Sequence, residues 1–401
     1  MSSSNLQQPL VGTAGQADKG AALLAAVGAQ DEAEVERLLR AGAPVDRRDA
    51  RGATALMLAV QANHLAIARR LIEAGSDVNA RDGTQLTPYL CAGANGFHQI
   101  LRATIDAGAD LESVNRFGGT ALLPSSEKGY LRTVHTCLDA GVAVDRVNML
   151  GWTALLEAVI LGDGGRLYGD VIAALVTAGS DVHLPDRDGH SALQHAQSLG
   201  QRRVLQIFAA RGSSPAVATG LDLVRQSIRG GRYDAASDAL ADIAGPEIDP
   251  LDRHYYRGYL LTESGRFDEA LAEYRRALAL DPTALEFYFY SAQCLRSAQR
   301  SDEALREYDT AVSQQPEAPF YRYHKSNYLR ELNRHEQAVA EMDVLLAQQP
   351  RRYDFSFHKA NSLRALGRHR EAVAAIENAI EVDPDNALYH AHKAQSMALL
   401  P

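Results

Sequence analysis

A glycine that returns at a nearly fixed step constrains this chain more than any other feature of it. It follows an apolar segment each time, at Gly42, Gly75, Gly108, Gly141, Gly179 and Gly212, with intervals of 33, 33, 33, 38 and 33 residues. A second marker keeps phase with it. Thr or Ser is followed by a small residue or Pro and, in most copies, by Leu: Thr54-Ala55-Leu56, Thr87-Pro88-Tyr89, Thr120-Ala121-Leu122, Thr153-Ala154-Leu155 and Ser191-Ala192-Leu193. Two markers at one period describe stacked supersecondary units, each too small to bury a core alone. Each unit reads as a polar capping residue, a short apolar helix, a tight turn, a second helix, and a glycine able to end it in the left-handed conformation without a Cβ penalty.

After Gly212-Ser213-Ser214-Pro215 the period changes. Alanines at Ala236, Ala270, Ala304, Ala338 and Ala372 are spaced by 34 throughout, and Pro282, Pro316, Pro350 and Pro384 share that step. The small residue lets paired helices approach, and the proline stops each second helix from continuing. At 401 residues the chain is too long for one ordinary core, whereas repeats escape that limit. With 46% hydrophobic and 23% charged residues, most of it should fold.

On Ala41 to Asp46, Ala74 to Asn79 and Ala107 to Glu112, together with the markers above, the first array resembles the ankyrin repeat, six units from about Asp18 to Gly212. Units four and five depart from that pattern in Thr120 to Gly129 and Thr153 to Gly165, and the five extra residues fall in or beside Gly162 to Gly165. An insertion there lengthens a loop without breaking the stack. With Asn115 to Gly119, these departures make the first half look like a bacterial ankyrin subfamily. Gly265 to Leu278 and Gly367 to Ile380 are similar to the tetratricopeptide repeat, and Ala387 to Pro401 resembles the solvating cap such arrays need. The expected fold is therefore all-α: two tandem solenoids, with residues 1–17 flexible, ankyrin repeats over 18–212, a junction at 213–216, and about five tetratricopeptide repeats plus a capping helix over 217–401.

The ankyrin resemblance implies a concave side bearing Arg116, Phe117, Glu127, Lys128 and the sole tryptophan, Trp152. Aromatic and Arg side chains are enriched in binding hot spots. The other reading is that Trp152 and Phe117 close gaps between neighbouring turns. Glu157, where an apolar residue is expected, calls for a local partner.

In the second array, Tyr255, Phe289, Tyr323 and Phe357 repeat every 34 residues. Tyr259, Gln293, Asn327 and Asn361 follow four later, and Thr262, Arg296, Arg330 and Arg364 three beyond those. Offsets of i, i+4 and i+7 share one helix face. Amides can grip a peptide backbone, aromatic faces its side chains, and Arg a carboxylate, so these columns suit an extended segment, acidic or ending in a free carboxylate. Alternatively the rings brace adjacent helices and the arginines pair with nearby acids. His324, His358 and His392 form a further column, but helices ~8–10 Å apart do not bring successive imidazoles onto one ion.

Charge argues against nucleic acid as a partner. The formal net charge is −9, with 19 Lys and Arg against 22 Asp and Glu up to Gly212 and 22 against 28 beyond it, so neither half offers the cationic excess phosphates require. Cys91, Cys137 and Cys294 are odd in number and form no C-x-x-C pair. No signal peptide or membrane-spanning run is legible, and the expected location is the cytoplasm. No phosphate loop, H-E-x-x-H motif, zinc-ligand cluster or nucleophile elbow occurs. The expectation is a non-enzyme without cofactor or metal, a scaffold or adaptor for other proteins or peptide segments. Two further readings stand beside it: an effector or regulatory subunit that modulates an enzyme by contact, and, less well supported by charge, an RNA-binding repeat protein.

Overall fold

Helices account for nearly all regular structure in the computed structural model, which describes residues 14–210 and 219–400. Expectations resting on residues 1–13, Gly212 and the 213–216 junction lie outside the described residues. Among those described there are 23 α-helices, one short 3-10 helix, and no strand beyond isolated bridges joining Arg48 to Thr54 and Pro185 to Ser191. The chain is all-α.

Its contacts divide the described residues into two compact units. The first runs to Asn148 and includes Ala178–Ser180; the second comprises Met149–Thr177 and everything from Asp181 onward. In the first unit the helices pair as α1 (Ala14–Gly28) with α2 (Glu32–Arg40), α3 (Ala55–Gln61) with α4 (Leu65–Glu73), α5 (Pro88–Asn95) with α6 (His98–Asp106), and α7 (Leu122–Glu127) with α8 (Leu131–Asp139). The second unit opens on two further pairs of that array, α9 (Ala154–Ile160) with α10 (Arg166–Thr177) and α11 (Ala192–Ser198) with α12 (Arg202–Ala209).

The second array completes this unit. Its pairs are α13 (Gly220–Arg229) with α14 (Tyr233–Asp242), α15 (Pro250–Glu263) with α16 (Phe267–Leu280), and α17 (Glu286–Ser297) with α18 (Ser301–Gln314). Then come α19 (Pro319–Glu331) with α20 (His335–Gln348), α21 (Tyr353–Ala365) with α22 (His369–Val382), and a single last helix α23 (Ala387–Met397). The change of repeat type near residue 213 is therefore not where the compact units part.

Local chemistry explains the repeats. Thr54, Thr87, Thr153 and Ser191 cap their helices, each hydroxyl oxygen accepting the N–H three residues on at 3.2–3.3 Å. Thr120 is the exception. Its buried hydroxyl makes no hydrogen bond, and α7 is shortened to six residues. The end glycines Gly42, Gly75, Gly108, Gly141 and Gly179 sit at φ of +73° to +100°, a conformation costly for any residue with a Cβ. A marker that the periodicity of Gly and Thr does not reveal holds the turns. Asp49, Asp82, Asn115 and Asp186 each accept two backbone N–H groups of the following turn on Oδ1. In the second array the alanine column is at most 1% exposed, and Gly258 lets the Tyr274 ring pack where a Cβ would lie 2.2 Å from it.

Candidate functional site

In the first unit, Arg116 is exposed and its guanidinium lies 4.9 Å from the Phe117 ring centroid, while the Phe117 N–H donates to Asn115 Oδ1 at 2.8 Å. Glu127 and Lys128 close α7, both half-buried. Lys128 Nζ donates to the Ala94 carbonyl at 2.9 Å and lies over Tyr130, 5.9 Å from its centroid. Trp152 departs from the expected exposed patch. It belongs to the second unit, is 4% exposed, and lies 5.9 Å from the Tyr353 ring of α21. The ring is buried because a second aromatic covers it, a more favourable fate for so large an apolar surface than hydration. Glu157 is likewise buried.

The aromatic column of the second array is also closed. Tyr255, Phe289, Tyr323 and Phe357 are at most 2% exposed and brace neighbouring helices, with centroid distances of 5.0 Å for Tyr255 to Tyr290, 4.9 Å for Phe289 to Phe320, 5.7 Å for Tyr323 to Phe355, and 4.7 Å for Phe357 to His392. In the amide column Asn327 is buried, and Tyr259, Gln293 and Asn361 are half-buried.

The guanidinium column divides. Arg296 pairs with Glu331 at 2.9 Å and lies over Tyr328. Arg330 instead donates to Asn327 Oδ1 at 2.5 Å and to His358 Nδ1 at 2.8 Å. Arg364 donates to Asn361 Oδ1 and Gln395 Oε1, both at 2.9 Å. All four acceptors are uncharged, and neither Arg330 nor Arg364 forms an ion pair among the described residues. Arg330 Nε and Asn361 Nδ2, both buried, have no hydrogen-bond partner. Burial lowers the Arg364 guanidinium from its ordinary value with no anion to offset it.

A second constellation lies at the other end of the same helices. The loop Leu161 to Gly165 carries the five extra residues; Gln201 Nε2 ties it to the end of α9 by donating to the Gly162 carbonyl at 3.3 Å and the Val159 carbonyl at 2.9 Å, and Asp163 Oδ1 accepts the Gly165 N–H at 2.8 Å. It delivers the first turn of α10 onto α15, α17 and α19. Arg166 donates to Asp252 at 2.5 Å and to Glu286 at 2.6 Å. Tyr168 packs between Phe289 and Phe320, its hydroxyl 3.1 Å from His324 Nε2, which also meets the Leu161 carbonyl at 3.2 Å. Asp170 accepts from Tyr256 at 3.0 Å, Tyr255 at 3.3 Å and Arg225 at 3.1 Å. The Leu167 N–H, one of the amides a helix start leaves unpaired, donates to the Tyr290 hydroxyl at 3.2 Å. Farther along, Asn386 donates to the Met149 carbonyl at 3.0 Å, and Arg187 pairs with Asp383.

Comparison with known proteins matches residues 4–82 to a model of three ankyrin repeats, and 261–324, 221–284, 323–387 and 357–400 to tetratricopeptide-repeat models. An ankyrin repeat domain from Acinetobacter baumannii of known structure is 48% identical over 47% of this chain and 97% of its own, with a TM-score of 0.46. The chain belongs to the ankyrin-repeat family. It carries tetratricopeptide repeats after the ankyrin repeats. The ankyrin-repeat protein EF0377 is 37% identical over 47% of this chain and 97% of its own, also with a TM-score of 0.46. No curated protein matches the chain.

Placed on the tetratricopeptide repeats, the histidine column acquires a use. It is the continuation of Tyr256 and Tyr290 at the 34-residue step. Tyr256, Tyr290 and His324 each contact α10, whereas His358 meets Tyr323 and Arg330, and His392 meets the edge of Phe357. The acidic pair Asp252 and Glu286 is also 34 apart, three residues before the aromatic column. Those residues, with Arg166, Tyr168 and Asp170, escaped the reading of the sequence. The signals for them were the insertion itself and a charged residue opening the helix after it.

Proposed function

We propose that the protein is a non-catalytic scaffold or adaptor of the cytoplasm. Its tetratricopeptide repeats take an extended peptide segment, acidic or ending in a free carboxylate, at Arg330, Asn361 and Arg364; a second protein partner engages the ankyrin repeats around Arg116 and Phe117. Both repeat families are protein-interaction motifs, and no helix among the described residues is long and apolar enough to cross a membrane.

The observation that carries the reading is a charge without its complement. Two half-buried guanidiniums are satisfied only by neutral acceptors, beside an orphaned amide donor on Asn361. A hydrogen bond to a charged partner contributes about 1.5–3 kcal/mol, and a carboxylate can take two donors of one guanidinium at once. Arg296, already neutralised by Glu331, is the weaker member of the column.

The test is a fluorescence-anisotropy titration of the full chain with labelled acidic peptides. Arg330→Ala/Arg364→Ala should weaken binding by roughly 10- to 100-fold, the equivalent of about 1.5–3 kcal/mol, and amidating the peptide's C-terminus separates a terminal from a side-chain carboxylate. Arg296→Ala should cost less. Equal affinity for the wild type and the double variant would remove this site from the function.

A further inference from the structure

The site around Arg330 and Arg364 holds more than guanidiniums. His358 Nδ1 accepts from Arg330 Nη1 at 2.8 Å, and His358 Nε2 lies 3.3 Å from the Tyr323 hydroxyl. A guanidinium is a donor only and keeps its charge, so the first bond has one reading: His358 is neutral, with Nδ1 bare and its proton on Nε2, facing Tyr323. His335, at the start of α20, shares this environment. Its Nδ1 is buried without a hydrogen-bond partner, and burial, with Arg330 adding to it, lowers the imidazole from its ordinary value. The titratable and charged groups around the His358 ring are Tyr323 and Arg330 of α19, His335 of α20 through Arg330, and Arg364 of its own helix. Its sequence neighbours turn elsewhere: Lys359 pairs with Asp343 of α20 at 2.5 Å, and Phe357 meets His392 of α23.

We infer that His358 is a positioning residue that makes this site proton-linked: the neutral ring holds Arg330, and an anionic segment that takes Arg330 from it leaves Nδ1 to bind a proton. The inference rests on the proposed capture of such a segment at Arg330, Asn361 and Arg364, and adds its regulation. A carboxylate on Arg330 replaces the imidazole as acceptor and puts a negative charge within about 4–6 Å of the ring, which favours the charged form of His358. Protonated, the ring offers a donor at Nδ1 where it offered a lone pair, and the site gains a third cation beside the two guanidiniums. The segment's own carboxyls are ionised throughout the range in which an imidazole titrates, so the proton taken up belongs to the protein. Affinity therefore rises as the pH falls from about 8 to about 6. One linked proton allows at most about tenfold per pH unit, and a gain of roughly three- to tenfold across that interval is expected.

The test is calorimetric titration of the full chain with the acetylated peptide Gly-Ser-Glu-Asp-Glu-Asp at pH 6 and pH 8 and constant ionic strength. His358→Gln keeps an acceptor for Arg330 but has no proton to gain. It should match the wild type within about twofold at pH 8 and lose the gain at pH 6, whereas His335→Gln should retain it. Should His358→Gln not fold, the wild type decides: binding at pH 7 in two buffers of different ionisation enthalpy reads proton uptake directly, and an uptake of zero overturns the linkage. A flat pH profile in the wild type, or a gain that survives in His358→Gln, overturns it too and leaves capture at Arg330 and Arg364 standing. Absence of binding at both pH values removes the site and the linkage together.

Discussion

Asp163 sits in the loop that delivers α10, and burial followed by the proximity of Glu286 raises its carboxyl from the ordinary 3.8 to about 7. A carboxyl held higher in the folded than in the unfolded chain binds its proton more tightly when folded, so its contribution favours the fold at low pH. That contribution is lost as the pH climbs from about 4 to about 7 and is constant above. Thermal unfolding of Asp163→Asn, which keeps the acceptor for the Gly165 N–H, should therefore match the wild type near pH 4 and lie above it at pH 8; parallel curves across that range would contradict the assignment. Burial likewise pushes the Cys91 and Cys137 thiols up to about 12 and raises that of Cys294. All three are buried and free of disulfides, so they should resist a thiol reagent at pH 8 in the native protein and react once it is unfolded.

The elements follow from short-range chemistry, and glycine substitutions separate its parts. A Cβ at Gly162 would lie 2.2 Å from the Ala158 carbonyl oxygen and 2.4 Å from the Tyr168 ring. Gly162→Ala must shift either the backbone or the ring that fills the Phe289 and Phe320 pocket. An overpacking cost of about 1–3 kcal/mol is expected in urea unfolding. Gly28 closes α1 with nothing within 4 Å of an added Cβ, and Gly28→Ala should be neutral or stabilise by up to about 1 kcal/mol. At this scale the sequence was legible. The capping Thr and Ser, the end glycines and the alanine column all act within one or two helices, so their spacing states their role. The site was legible only in part. The arginine column was visible, but whether each member meets a carboxylate depends on which residue the neighbouring helix presents: Glu331 reaches Arg296, and among the described residues no acid reaches Arg330 or Arg364.

In the second unit, two ankyrin repeats and the tetratricopeptide repeats share buried ion pairs and one aromatic cluster. Arg166 pairs with Asp249, Asp252 and Glu286 there, and although Arg203 also reaches Asp252, removing Arg166 leaves Glu286 without its cation, at a cost of up to about 3–5 kcal/mol. Arg166→Ala should lower the urea midpoint seen by Trp152, which lies against Tyr353, and hydrogen exchange in α15 and α17 should loosen in step with it. A loss confined to one set of probes would mean the two kinds of repeat unfold independently. The sequence by itself determined the two periods, the helix pairs and their all-α class, because each rests on chemistry within a few tens of residues. Only the tertiary structure decided that the aromatic column is closed, that Trp152 is core, and that the insertion in the fifth ankyrin repeat feeds a helix to the tetratricopeptide face. The aromatic column closes against rings 31 to 35 positions away, on the neighbouring repeat, whereas the other two facts join residues 85 to 201 positions apart, from Asp170 with Tyr255 to Trp152 with Tyr353. No periodicity records such pairings, because a repeat fixes what each unit offers to its neighbour and leaves open which distant surface will cover the rest.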